Sequence, residues 1–317
     1  MNDDLRPEYD LSQLKGGVRG KYAQRFAKQG LEKTAGGTSE IERNRFLQHA
    51  VAAMMPVLQA SVVPLLVKEQ GRLHQLGTGT LFQVADSRFL VTAEHVVQDA
   101  ARLKLRLLTF DNTDQGQAIP IPCDFETYSD PADVAIARLD EAFVHSAPNR
   151  RYLSVHQADR LNRRPPNGIF LIHGYPEVGL EEHPDHRLSI GAYTAATGLF
   201  EGAAPEDTDP KWHLLLTNSP NGFDLGTGAA VESPKCLRGI SGCSVWQLHY
   251  DGLSFEHWSP NDTAIVAVQT GVYDQGIIKA TRWSLIDRLL RESHPDLAGP
   301  LSLAVPDTRS PHLLSAV

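Results

Sequence analysis

Leu237-Arg238-Gly239-Ile240-Ser241-Gly242-Cys243-Ser244-Val245 sets a serine between two glycines, ahead of small residues and an apolar run. Two upstream segments belong with it. One is Leu90-Val91-Thr92-Ala93-Glu94-His95-Val96-Val97, and the other is Ala132-Asp133-Val134-Ala135-Ile136-Ala137. A serine hydroxyl is a poor nucleophile until a base takes its proton. An imidazole does this when a carboxylate fixes its far nitrogen. The chain order His, Asp, Ser is one of the known solutions. The tetrahedral intermediate also needs donors for its oxyanion. Backbone N–H groups two residues apart supply them where glycine allows a sharp turn, which points to the amides of Gly239 and Ser241. Gly242 leaves room for a substrate to approach.

The rest of the chain bounds this reading. Its 317 residues are 41% hydrophobic, enough for a substantial core in one or two domains. The formal charge is −8, although residues 1–50 carry nine basic against seven acidic side chains. An acidic body argues against nucleic acid as the main partner. The start of the chain lacks the basic and apolar regions of a signal peptide, and no apolar run is long enough to span a bilayer. Three cysteines, Cys123, Cys236 and Cys243, are too few for a disulfide framework and fit a reducing compartment. The expected location is the cytoplasm, away from membranes.

Three regions are expected. Residues 1–55 form an arm, broken at Gly16-Gly17 and Gly36-Gly37, and a helix that Thr38 or Ser39 caps and Pro56 ends. Residues 56–295 form the main domain, in two halves of about 56–150 and 165–295, and residues 296–317 are a loose tail. From Ser61 onward, short β-branched runs alternate with turns. Val62 to Val67, Thr78 to Val84, Phe89 to Thr92, Val134 to Leu139, Ile169 to Ile172 and Ala264 to Val268 read as strands. Trp283, Ile286, Leu289 and Leu290 have helical spacing and predict a closing amphipathic helix. Glu177 to Arg187 and Glu201 to Lys211, dense in acidic residues and turn formers, read as long surface loops.

These blocks resemble those of the chymotrypsin-like (trypsin-like) serine peptidases of the bacterial, intracellular type. Leu76-Gly77-Thr78-Gly79-Thr80-Leu81-Phe82 is similar to the strand before the family's histidine, and His173-Gly174-Tyr175-Pro176 to its Gly-x-Pro turn. Val268-Gln269-Thr270-Gly271 is similar to the strand along its substrate cleft. The resemblance spans roughly Ser61 to Glu292. It implies an all-β fold, a double six-stranded antiparallel β-barrel with an N-terminal helical extension and a C-terminal helix. It implies a serine endopeptidase in which Ser241 is nucleophile, His95 general base and acid, and Asp133 orienter. Gly239 and Ser241 would form the oxyanion hole. Lys235, Gln269, Thr270 and Gly271 would line the substrate pocket, where a basic rather than acidic floor disfavours Arg or Lys substrates. A polypeptide substrate is implied, and no cofactor.

Glu94, Ile240 and Cys243 depart from the family pattern, and Ile240 removes the usual zymogen ion pair. The expectation is an enzyme controlled by a regulatory partner, docked through the N-terminal arm. Asp130 is an alternative orienter, and Cys243 an alternative nucleophile. His183-Pro184-Asp185-His186 has loose metal-ligand spacing but no second pair in register, so no metal is expected. Two rival readings stay open: a catalytically silent binding module on the same fold, and an esterase with the same triad.

Overall fold

A computed structural model of the chain describes residues 40–110, 118–122, 124–164, 167–182, 188–219, 221–223, 230–232, 236–249, 255–274 and 276–302. The arm, the caps Thr38 and Ser39, Cys123, the His183-to-His186 run, Lys235 and the chain beyond Ser302 lie outside the described residues. The described residues fall within one compact unit, Thr38–Val317.

Two curled antiparallel sheets carry the fold. The first is built from β1 (Val62–Glu69), β2 (Arg72–Val84), β3 (Ser87–Thr92), β4 (Leu108–Phe110), β5 (Ala118–Pro120), β6 (Phe125–Tyr128), β7 (Val134–Arg138) and β8 (Leu153–Ser154). Its order is β5-β4-β1-β2-β3-β7-β6, and β8 pairs with β2 in parallel. β9 (Ile169–Gly174) starts the second half, β10 (Leu180–Glu182) and β11 (Leu188–Ile190) form a hairpin, and β12 (Tyr193–Thr197) and β13 (His213–Thr217) follow. β14 (Asn221–Phe223) and β15 (Ala230–Glu232) pair with each other, and β16 (Ser244–His249), β17 (Ala264–Tyr273) and β18 (Ile277–Arg282) complete the set. The second sheet runs β12-β9-β16-β17-β18-β13. The all-β class with a helix at each end is as the resemblance implied. The first sheet counts eight strands rather than six, because short pieces such as β5 and β8 join it.

The continuous apolar runs have a simple cause. In β9, Phe170 and Ile172 point into the core of the second sheet, while Ile169 and Leu171 point into a third core shared with the first sheet. β3 divides likewise, with Leu90 inside the first sheet and Phe89 and Val91 in the shared core. Strands buried on both faces leave no polar alternation to read. The shared core also takes Phe46, Ala50, Met54 and Leu58 of the helix Glu40–Ser61, a buried stripe at four-residue spacing. That helix does not end at Pro56, as the sequence reading expected, but runs on to Ser61. Pro56 lies on the exposed face, where water can take the carbonyl its missing N–H leaves free.

The helix Trp283–Ser293 closes the molecule and buries Trp283, Ile286, Leu289 and Leu290, as its spacing predicts. Trp283 meets Phe82 edge-on at 5.4 Å, and Phe82 stacks on Phe89 at 5.3 Å. Its buried Asp287 bonds Arg160 Nε at 2.5 Å and Arg291 Nε at 2.8 Å. Arg160 also donates to the Leu301 carbonyl, and Leu301 is buried. Replacing Asp287 by Ala strands a guanidinium that is 3% exposed. Urea denaturation of Asp287→Ala is expected to show a loss of about 3–5 kcal/mol, the cost of an uncompensated buried charge.

Candidate active site

The loop between Leu237 and Ser244 is clamped peptide by peptide. Glu177 N donates to the Arg238 carbonyl at 2.8 Å, and Thr78 Oγ1 donates to the Gly239 carbonyl at 2.8 Å. Cys243 N donates to the Ile240 carbonyl at 3.0 Å, and Thr78 N to the Ser241 carbonyl at 2.7 Å. Ile240 N reaches Leu237 O at 3.2 Å, and Gly242 N reaches Gln269 O at 2.7 Å. In a trans peptide the N–H points away from its carbonyl. Fixing the carbonyls of Arg238 and Ile240 therefore turns the N–H groups of Gly239 and Ser241 the other way. Among the described residues neither of these two amides has an acceptor. A pair of fixed, unused donors two residues apart is what an oxyanion requires.

Glycine is required at two positions here. Gly239 has φ +97°, and a Cβ on it would lie 2.9 Å from both Glu177 N and Tyr175 O. Gly242 has φ +95°, and a Cβ on it would run into the Thr78 carbonyl and the Thr92 hydroxyl.

His95 sits in the first turn of the helix Glu94–Leu103, directly after β3. Its Nδ1 lies 2.9 Å from Asp133 Oδ2 and 3.2 Å from Oδ1, and its backbone N–H donates to Oδ1 at 3.1 Å. Glu94 N donates to the Asp133 carbonyl at 3.2 Å. Asp133 thus grips the start of the helix through side chain and main chain together. It does so at φ +46°, a region a non-glycine residue enters at some cost and aspartate tolerates better than most. Asp130, the alternative orienter, is exposed in the preceding turn.

Glu94, which departs from the family pattern, and three side chains that sequence reasoning did not single out, Ser129, His213 and Thr281, hold this turn. Buried Glu94 accepts from Ser129 Oγ at 2.8 Å, which explains the charge beside the histidine. His213 Nε2 donates to the Pro131 carbonyl at 2.7 Å while its Nδ1 accepts from Asp209 N at 2.9 Å, fixing a neutral tautomer. Thr281 Oγ1 donates to the Ala132 carbonyl at 2.5 Å. No local pattern marks these partners, because each lies far along the chain from what it supports.

The two halves of the site meet across β2. A Cβ on Gly77 would lie 2.5 Å from the side chain of Val96, beside His95, and 3.1 Å from the Ser241 carbonyl. Among the described residues no hydrogen bond joins Ser241 Oγ to His95, a bond that often tightens only when substrate arrives. Gln269 clamps the loop with its backbone, and its buried side-chain amide has no partner among the described residues. Thr270 turns its hydroxyl to Thr281 at 3.4 Å, toward the support of Asp133. Gly271 lies opposite Lys279 in the β17–β18 pair.

Cys243 is fully buried, and burial pushes its thiol far above the ordinary range, only partly offset by backbone hydrogen bonds, one from His173. Cys236 is exposed, and both are free thiols. His173 is held near pKa 4 by burial, with Nδ1 against Thr194 Oγ1 at 2.8 Å. Among the described residues no cluster of His, Cys, Asp or Glu could hold a metal ion, and no helix is long and apolar enough to cross a membrane.

Burial disfavours the charged form of His95, but the hydrogen bond and charge of Asp133 outweigh it, with help from Asp99 and opposition from Lys279. The net result lies above the ordinary value of 6.5. A raised folded-state pKa means the pair stabilises the fold below pH 6.5 and loses that contribution as pH rises through the raised value. NMR titration should place His95 above 6.5 in the native chain and lower it in Asp133→Asn. An unchanged midpoint in that variant would remove Asp133 as the cause.

No protein-family model and no curated protein matches the chain. Among solved structures it is similar to the inactivated protease paralogue S-I1 of the scabies mite, at 13% identity and a TM-score of 0.46, covering 76% of this chain and 96% of that one. It is also similar to the thermostable serine protease AL20 of an extremophilic microorganism, at 11% identity and a TM-score of 0.40, covering 71% of this chain and 91% of that one.

Proposed function

We propose that the chain is a serine endopeptidase of the chymotrypsin-like kind. The observation that carries this reading is the pair of unused amides at Gly239 and Ser241 in a loop whose carbonyls are fixed, with the His95–Asp133 pair held at the start of the helix after β3 and in the turn before β7. Ser241 Oγ attacks the scissile carbonyl and gives its proton to His95 Nε2. Asp133 accepts from Nδ1, holds the ring and stabilises the imidazolium. The oxyanion is received by Gly239 N–H and Ser241 N–H, His95 returns the proton to the leaving amine, and water then hydrolyses the acyl-enzyme by the same route. Cys243 is a poor rival nucleophile, since a buried thiol kept protonated does not attack. A regulatory partner reached through the N-terminal arm, and a cytoplasmic location, belong to the same proposal.

Steady-state hydrolysis of a mixed peptide set tests it. Ser241→Ala and His95→Ala should each lose about 10⁶-fold in kcat, and Asp133→Asn about 10⁴-fold, as the wrong tautomer requires. Full activity in Ser241→Ala would end the reading. Turnover of simple esters without peptides would favour the esterase. Inertness toward both substrate types, with no adduct on Ser241, would support a silent binding module.

A further inference from the structure

We propose that this cleft takes substrates bearing an acidic side chain, and that Lys279 is the residue that selects them. The proposal rests on the peptidase reading above and adds the substrate class to it.

Lys279 lies on β18 directly opposite Gly271 of β17, the strand whose Gln269 clamps the candidate nucleophile loop. A Cβ on Gly271 would sit 3.4 Å from Lys279 Cε and 3.6 Å from its Cβ, so the aliphatic stem lies across the bare glycine. The side chain is only 16% exposed, yet its charge is close enough to act on His95. The side chain is therefore mostly withdrawn from water, on the strand paired with β17.

Its counter-ion does not match that burial. Asp207 lies 3.3 Å from Nζ and comes from the loop before β13, with a side chain 60% exposed. Tyr273 OH donates to the same carboxylate at 2.7 Å, and its ring lies 5.8 Å from Nζ. An ion pair with one partner mostly in water contributes little and is exchanged easily. A substrate carboxylate that enters from solvent meets a preformed pair of donors, the Lys279 ammonium and the Tyr273 hydroxyl, with Asp207 as its placeholder. Arg238, next to Gly239, adds a second, solvent-exposed cation, 3.5 Å from Glu177. Basic side chains would face both cations.

The test is a peptide library in which one position at a time around the scissile bond carries Glu, Gln or Lys. At one position the native chain should prefer Glu over Gln by about tenfold or more in kcat/KM, the scale of a partly buried charge pair. Lys279→Met should bring that ratio to about one, Lys279→Arg should keep it, and Asp207→Asn should raise it, since the cation loses its placeholder. No Glu preference at any position overturns the proposal, as does a preference that survives Lys279→Met. Turnover of the Gln members by the native chain shows that the peptidase reading stands even then. Absence of turnover throughout, with no fluorophosphonate adduct on Ser241, overturns both.

Discussion

Thr78 holds the candidate site together. Its N–H donates to the Ser241 carbonyl and its hydroxyl to the Gly239 carbonyl, while Tyr175 N donates to Oγ1 at 3.0 Å and Thr92 Oγ1 donates to its carbonyl at 2.8 Å. One buried residue of β2 thereby ties the loop of the second sheet to β3, which leads directly to His95. Every donor and acceptor it owns is used inside the protein. Such a residue acts less through any one bond than by fixing four segments at once, and a fully satisfied buried network specifies a unique arrangement.

The rest of the site follows from that constraint. With the carbonyls of the loop fixed, the amides of Gly239 and Ser241 are left aimed and unspent, at the cost of two glycines at positive φ. Preorganised donors need no rearrangement when charge develops, which is where most of their value lies. The Asp133 turn is built by the same logic from other residues. Glu94, Ser129, His213 and Thr281 each secure a neighbour of the carboxylate, and the strained backbone of Asp133 persists because its surroundings over-determine it. The field at His95 is then a balance between burial, Asp133, Asp99 and Lys279 rather than a single contact.

Much of this was legible in the sequence. The short runs from Val62 to Val268 gave the strands, and the amphipathic spacing from Trp283 gave the closing helix. Asp133 Oδ2 lies 2.9 Å from His95 Nδ1, while Asp130 lies exposed in the preceding turn. What stayed hidden depends on distance along the chain. Glu94 read as an anomaly because its partner Ser129 lies 35 residues away. Lys279 went unread because its place beside Gly271 comes from strand register, which local pattern does not encode. Thr270 was read as a cleft residue, and its hydroxyl faces Thr281 instead. Pro56 read as a helix stop because the buried stripe on the opposite face, which carries the helix through, belongs to tertiary packing.

The central claim is that the Thr78 clamp presets Ser241 and its oxyanion donors. The rate at which a fluorophosphonate modifies Ser241, followed by intact mass and peptide mapping, tests it most directly in the native chain and in Thr78→Val. The account predicts one adduct, on Ser241, formed about 10²-fold more slowly in a folded Thr78→Val, comparable to the loss of one oxyanion donor. An adduct elsewhere, or equal rates in the two proteins, would contradict it.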